Sequence, residues 1–257
     1  MPSSEFLNPF SLSLLVFMMI GIIFDMDGVI YRGNFLIEGA REVIEYLKLR
    51  NIPFVFLTNN STRNAKMYRE KLLKMGINVG EDRIITSGYA TARYLQKHFK
   101  KGKVFVIGGK GLIEEIKSIG WEIISVKDAK ERWREIGYVV VGLDTDLTYN
   151  KLKYGTLAVR NGAKFIGTNP DTTYPSEEGL LPGAGSILAA LKASTETEPL
   201  VIGKPSELIF EVVREKLTAD EIWVVGDRLD TDIAFAKRIG AKAIMVLTGV
   251  STLEDVE

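Results

Sequence analysis

The chain has 257 residues, 46% hydrophobic and 26% charged, the make-up of a globular protein with one large domain or two ordinary ones. Its 33 basic and 33 acidic residues cancel to a net charge of +0, which gives no electrostatic footprint for nucleic acid or an anionic membrane. With no cysteine and one histidine, His98, the sequence excludes disulfides, a cysteine nucleophile and histidine-rich zinc sites, leaving carboxylates, lysines, hydroxyls and hard cations with oxygen ligands.

Residues 12–24 carry no charge. A secretory signal is disfavoured because no Lys or Arg precedes Arg32. A bilayer span needs about 20 apolar residues, more than this run supplies. The run also continues into the first strand, which cleavage would remove. Residues 1–18 are therefore read as an extension that the fold does not use, with an extra helix or an interfacial anchor as alternatives. Met19-Ile20-Gly21-Ile22-Ile23 reads as a buried parallel strand, since it is continuous and β-branched rather than alternating. It leads into Phe24-Asp25-Met26-Asp27-Gly28-Val29. Two carboxylates at i and i+2 on a strand end repel and lose hydration, a cost that a bound cation or cationic partner removes. A DG turn that merely follows a strand is the alternative.

Residues 38–50 form an amphipathic helix, with Val43, Ile44, Leu47 and Leu49 on its apolar face and Asn51-Ile52-Pro53 ending it. Phe54-Val55-Phe56-Leu57 is a second buried strand ending in Thr58-Asn59-Asn60-Ser61-Thr62. Ser61 or Thr62 is the expected N-cap of a helix reaching about Met75. Hydroxyls, amides and free N–H groups at such a start also make an anion site. After a short strand at 84–87, a helix over 89–99 ends near His98, which reads as solvated among Lys97, Lys100 and Lys101 rather than as a ligand.

A second set of α/β units follows, with strands at 104–107, 138–141 and 165–168 and helices at 112–119 and 149–160. Gly108-Gly109-Lys110-Gly111 reads as a tight turn: Glu114 occupies the third glycine position of GxGxxG, and the GK[ST] ending of a P-loop is missing. Residues 172–185 form a stiff loop with Pro175, Pro182, Gly183 and Gly185. A helix at 186–192 and a polar linker lead to the strand Leu200-Val201-Ile202-Gly203, which runs into Lys204-Pro205. Ser206 is the expected cap of the next helix. Ile222-Trp223-Val224-Val225 ends in Gly226-Asp227-Arg228-Leu229-Asp230-Thr231-Asp232, and a helix and a last strand at 243–247 follow.

Apolar strands thus end at Asp25/Asp27, Thr58/Asn59, Lys204 and Asp227/Asp232, and in one parallel sheet these loops share an edge. Carboxylates suit magnesium. Magnesium, lysine and backbone N–H groups together bind a phosphoryl group. A carboxylate beside it can attack phosphorus, and a second can protonate the leaving oxygen and then deprotonate water.

These stretches, DxDG[VT], [ST]N, GKP and GDxxxTD, resemble the four motifs of the haloacid dehalogenase superfamily of phosphatases, in order and over residues 20–250. Residues 168–171, 182–186 and 226–233 are similar to the large-cap subfamily that contains sugar, nucleotide, p-nitrophenyl, phosphoglycolate and pyridoxal-phosphate phosphatases. The resemblance implies an α/β fold: a Rossmann-like doubly wound parallel sheet core over 19–82 and 183–257, with an α/β cap inserted at 83–182. It implies Asp25 as nucleophile and metal ligand, and Asp27 as general acid/base whose carbonyl also reaches the metal. Thr58 and Asn59, with Asn60 close by, hold the phosphoryl oxygens. Lys204 neutralises the phosphoryl and orients Asp25, while Asp227 and Asp232 serve Mg2+ as a ligand and as a ligand or its support. Asp230 reads as a solvated helix-start charge. Asp144 and Asp171 either meet substrate or cap helices. The expected partner is a small phosphorylated metabolite, the location cytoplasmic, and any homodimer would use the cap. Relatives also imply one more strand and helix after Glu257.

Other readings on the same residues are a mutase, a phosphonate hydrolase and an inactive binding protein. Mutases carry a small helical cap, for which the stretch from Asp27 to Thr58 is too short. A phosphonate hydrolase would need a cap lysine forming a Schiff base.

Overall fold

The computed structural model describes residues 18–176 and 178–255. The extension expected at residues 1–18 lies, but for Met18, outside them. In chain order the elements are β1 (Ile20–Phe24), β2 (Tyr31–Arg32), β3 (Phe35–Leu36), α1 (Ala40–Leu49), β4 (Phe54–Thr58), α2 (Ala65–Lys74), β5 (Ile84–Thr86) and α3 (Ser87–His98). Next come β6 (Lys103–Ile107), α4 (Lys110–Ser118), β7 (Glu122–Ile123), α5 (Val126–Arg132), β8 (Tyr138–Val141), α6 (Tyr149–Arg160), β9 (Lys164–Gly167), β10 (Thr173–Ser176), β11 (Gly179–Pro182) and α7 (Ala184–Thr195). The chain closes with β12 (Leu200–Val201), α8 (Leu208–Arg214), β13 (Glu221–Gly226), α9 (Ala234–Arg238) and β14 (Lys242–Met245).

Two five-stranded sheets organise the fold, in the orders β14-β13-β1-β4-β5 and β12-β9-β8-β6-β7, and every pairing within them is parallel. Parallel strands need helical crossovers, and these cover the sheet faces, which is why the strands are continuous apolar runs. On one face of the first sheet, Phe24, Phe54 and Phe56 pack against Ile44, Leu47, Tyr68 and Leu72. On the other, Ile23, Val55, Leu57 and Val224 meet Ile209, Val213 and Phe235, and this cluster continues to Val104, Leu112 and Ile116 of the second unit. The two units therefore share buried apolar surface. A third cluster joins Phe105, Val139, Val141 and Phe165 to Tyr154, Leu188 and Leu191.

The doubly wound α/β reading holds. Two strands lie elsewhere than expected: β5, inside the cap expected at 83–182, pairs with β4 in the first sheet, and β12 lies in the second. Leu200 and Val201 pair with Ile166 and Gly167, so the strand that leads to Lys204 belongs to the second sheet, not the first. Helix α7 packs on that second sheet through Leu188 and Leu191. Lys204 is nevertheless delivered to the first sheet's edge, because Gly203 follows directly after Ile202, the residue that joins β12 to the first unit's core.

The helix after β4 also starts later than expected. Asn64, not Ser61 or Thr62, caps α2, accepting the Met67 N–H at 3.0 Å. Asn60 Oδ1 takes the Thr62 N–H at 3.0 Å and the Thr62 hydroxyl at 2.7 Å, which holds residues 60–62 in a turn. The loop 172–185 contains an antiparallel hairpin, β10–β11, with Tyr174 opposite Leu181 and Pro175 opposite Leu180. A smaller hairpin, β2–β3, follows the Asp25 loop. His98 lies on the surface with Nε2 2.9 Å from Glu211 Oε2 and its ring against Tyr94. Among the described residues no helix is long and apolar enough to cross a membrane.

Candidate active site

The site forms where β1, β4 and β13 end. Asp25 leaves β1 with its N–H still bonded to the Val225 carbonyl at 2.9 Å. The chain then turns tightly, Gly28 N–H donating to Tyr31 O at 2.8 Å and Ile30 N–H to Met26 O at 2.9 Å. Gly28 has φ +84°, and a Cβ there would stand 2.5 Å from Asp227 Oδ2. Glycine thus lets the first loop lie directly against the third carboxylate.

Lys204 is 2% exposed, and its ammonium donates to Asp25 Oδ1 at 2.6 Å, Asp232 Oδ1 at 2.6 Å and the Leu57 carbonyl at 2.9 Å. A lysine has three donors, so all are in use. Asp232 Oδ2 accepts the N–H groups of Asp227 and Arg228, both at 3.2 Å, which fixes the turn that begins the π-helical segment Leu229–Ile233. Asp227 Oδ2 accepts the Val250 N–H at 2.7 Å.

Electrostatics follow from burial. Burial would by itself push Lys204 down, but Asp232 and Asp25 hold its ammonium well above the ordinary range. Burial pushes the Asp25 carboxyl well up, Lys204 opposes this, and Asp232 and Asp227 add to it. Asp227 is pushed up to about 6, chiefly by burial. Asp27 is also raised by burial, against the pull of Lys71 and Arg63.

One lysine thus faces three carboxylates, Asp25, Asp227 and Asp232, whose ligand oxygens lie within 4.8 Å of one another. The uncompensated negative charge and the all-oxygen donor set fit a hard divalent cation such as Mg2+.

The second loop supplies the neutral donors. Thr58 Oγ1 accepts the Asn60 N–H at 3.1 Å. The Asn59 side chain is occupied: Nδ2 donates to Lys204 O at 2.9 Å and to Asp171 Oδ1 at 3.1 Å. That amide has no hydrogen left for a phosphoryl oxygen, so Asn59 can offer only its backbone N–H. Asn60 spends its carbonyl oxygen on Thr62.

A cavity of about 610 Å³ opens over these groups, lined by Asp25, Asp27, Thr58, Asn59, Asn60, Lys204, Asp227 and Asp232. The structure thus brings every one of the expected site residues to one cavity. Its outer wall comes from Phe35 on β3 and from Tyr174 and Leu180 on the β10–β11 hairpin, with Phe35 and Leu180 exposed. Arg228 also lines it, held by Asp230 at 3.1 and 2.9 Å. Asp230 is solvated as expected, and it also positions that guanidinium. Of the two carboxylates left open, Asp171 lines the cavity, whereas Asp144 does not. Asp144 is buried against Lys151 Nζ at 2.8 and 3.0 Å and accepts the Asp146 N–H. Arg228 was not singled out from the sequence, where its available signal is a cation between acids; Phe35, Tyr174 and Leu180 carried no signal, because single apolar residues in short hairpins look like core.

Comparison with known proteins identifies the family. The haloacid dehalogenase-like hydrolase family matches residues 22–122, and a HAD-hydrolase-like family matches residues 201–257. The chain belongs to the haloacid dehalogenase-like hydrolases, and within them it is a phosphatase. It is 42% identical over 235 residues to the acid sugar phosphatase of Staphylococcus aureus (strain USA300), covering 91% of this chain and 88% of that protein. The structure of a hypothetical protein from Pyrococcus horikoshii OT3 superposes with a TM-score of 0.91 at 64% identity, over 93% of this chain and 92% of that one. The p-nitrophenyl phosphatase from Archaeoglobus fulgidus gives 0.84 at 38% identity, over 93% and 90%.

Proposed function

We propose that this phosphatase hydrolyses a small phosphomonoester, a sugar phosphate or similar metabolite, through an aspartyl-phosphate on Asp25 and with Mg2+ as cofactor. The observation that carries this is the bond from a fully engaged, buried Lys204 to Asp25 Oδ1 at 2.6 Å, in a cavity that also holds Asp27. It aims one carboxylate and leaves the other separate. The names of the relatives, which act on sugar phosphates or p-nitrophenyl phosphate, support the substrate class.

In this reading Asp25 attacks phosphorus, and the phosphorus–oxygen bond to the leaving group breaks. Burial favours the protonated form of Asp27, which gives its proton to the leaving oxygen. Asp27 then takes a proton from the water that attacks the aspartyl-phosphate, releasing inorganic phosphate and regenerating Asp25. Thr58 O–H and the Asn59 N–H hold phosphoryl oxygens, and Lys204 favours the Asp25 anion against burial and aims it. Asp25, Asp227, Asp232 and the Asp27 carbonyl would hold Mg2+, which supplies positive charge for the phosphoryl oxygens. The second sheet with the β10–β11 hairpin acts as the cap. It covers the leaving group, excludes bulk water and limits the substrate to one that fits about 610 Å³.

The direct test is phosphate release from p-nitrophenyl phosphate and a panel of sugar phosphates. Release with Mg2+ that stops on chelation is expected. No release from any ester at any divalent metal would contradict the reading.

A pH effect on metal binding follows. Asp227 is raised from 3.8 to about 6 on folding, so its contribution to stability is present below about pH 3.8 and lost as pH rises through about 6. At neutral pH the metal-free chain bears an unfavourable carboxylate, which a cation relieves. Mg2+ affinity should therefore weaken as pH falls below about 6, with protons released on binding there. Calorimetry in two buffers of different ionisation enthalpy measures this; binding without proton release at pH 5.5, about the midpoint region, would count against it.

A further inference from the structure

We infer that Asp171 is a positioning residue for phosphoryl binding, acting through Asn59 rather than by touching the leaving group; the inference rests on the function proposed above. Asn59 follows β4 of the first sheet, whereas Asn169 and Asp171 follow β9 of the second. Two bonds grip Asn59 across that junction. Asn169 Nδ2 donates to the Asn59 carbonyl at 2.7 Å, and Asn59 Nδ2 donates to Asp171 Oδ1 at 3.1 Å. The other Asn59 amide hydrogen goes to Lys204 O at 2.9 Å. One side chain thus joins the cap loop to the residue whose ammonium aims Asp25.

The gripping loop is itself fixed. Asp171 N–H donates to Asn169 Oδ1 at 3.2 Å, and Gly185 N–H donates to Asp171 O at 2.8 Å. A Cβ on Gly183 would stand 2.2 Å from Asp171 O, and one on Gly185 2.1 Å from Pro170 O. The first turn of α7 therefore seats directly on the loop backbone.

Asn59 is 7% and Asn169 3% exposed, so these bonds are largely shielded, and a cavity water in place of Asp171 would be a neutral acceptor with no fixed position. Asn59 Oδ1 already has no partner. Without Asp171, the amide keeps only its bond to Lys204 O, and nothing holds its plane. The Thr58–Asn59 segment that presents N–H and O–H to the phosphoryl then loses its orientation.

A competing role for Asp171 is recognition of a hydroxyl on the leaving group, since it lines the cavity. Inorganic phosphate, which has no leaving group, separates the two. Its Kd is measured by calorimetry with the full chain and Mg2+, and needs no turnover. The same proteins are assayed on p-nitrophenyl phosphate and glycerol phosphate. Asp171→Ala is expected to weaken phosphate binding and to lower kcat/KM for both esters by a common factor of about ten or more, the worth of a hydrogen bond to a charged acceptor. Asp171→Asn, which keeps an oxygen for Asn59, should restore phosphate affinity to within about threefold. Adding Asp171→Ala to Asn59→Ala should change phosphate Kd by less than about threefold, because both act through one contact. Asp171→Ser, too short to reach Asn59, takes the place of Asp171→Ala if that variant does not fold. Unchanged phosphate affinity in Asp171→Ala, a loss confined to glycerol phosphate, or additive effects in the double variant would overturn the inference. Absence of turnover in the wild type would overturn the phosphatase reading instead, and the phosphate arm would still report on Asp171.

Discussion

Asp25→Asn is expected to abolish turnover, with kcat reduced by at least about 10⁴-fold, while the protein stays folded. The amide nitrogen cannot attack phosphorus, and the remaining oxygen is a poor nucleophile without its charge. Folding should survive because Lys204 keeps Asp232 Oδ1 at 2.6 Å and the Leu57 carbonyl at 2.9 Å. The substitution also removes a carboxyl that burial disfavours as an anion. The loss should therefore lie in kcat, with the melting temperature of the metal-free protein little changed. Retained hydrolysis would assign the nucleophile elsewhere, to Asp27 or to a directly attacking water.

Lys204→Met should damage both stability and activity. The lysine is the cation that Asp25 and Asp232 share, and it is buried with them. Breaking a buried ion pair from one side leaves uncompensated charge and costs about 3–5 kcal/mol. Here Asp25, Asp227 and Asp232 would face one another, their ligand oxygens within 4.8 Å, with no positive charge among them. The Asp25 and Asp227 carboxyls, already raised by burial, then rise further. Stability is accordingly kept at acid pH and lost as pH rises, so the variant should fall furthest below wild type near pH 8, about two units above Asp227's raised pKa of about 6. Mg2+ should recover part of the stability but not the turnover, which falls by at least about 10³-fold because Asp25 is no longer aimed. Denaturation at pH 5 and pH 8, about one unit below and two above that value, with and without Mg2+, separates these effects.

What could be read from the sequence follows from the physics of parallel strands. Phe54–Thr58 is buried throughout, and Ile20–Phe24 and Glu221–Gly226 are buried at their C-terminal ends, so their apolar runs stand out, and the loops they feed carry the chemistry. Asp25, Thr58 and Asp227 were therefore legible with their neighbours. The β10–β11 and β2–β3 hairpins were not, because strands of four and two residues give too few positions for alternation to register. Pro175 and Pro182 further disguised the larger hairpin, although a proline is tolerated in a two-stranded ribbon that forms no part of a larger sheet. The membership of Leu200–Val201 was hidden for another reason. A two-residue strand pairs by tertiary context, and its apolar residues would suit either sheet. The cap of α2 fell to Asn64 because Asn60 holds Thr62 in a turn, a local contest that composition does not resolve. The Asn59 side chain shows the limit best. Its residue type fits phosphoryl binding, yet its hydrogens go to Lys204 O and Asp171, one of them a partner 112 positions away.

The central claim is that the phosphoryl group passes through Asp25. It is tested most directly by rapid acid quench of Asp27→Asn mixed with p-nitrophenyl phosphate and Mg2+, followed by peptide mapping by mass spectrometry. Without the base that activates water, the covalent species should accumulate. The account predicts one phosphoryl group on the peptide containing Asp25, formed together with p-nitrophenolate. Release of p-nitrophenolate with no phosphorylated peptide, or with the phosphoryl group on another residue, would contradict it.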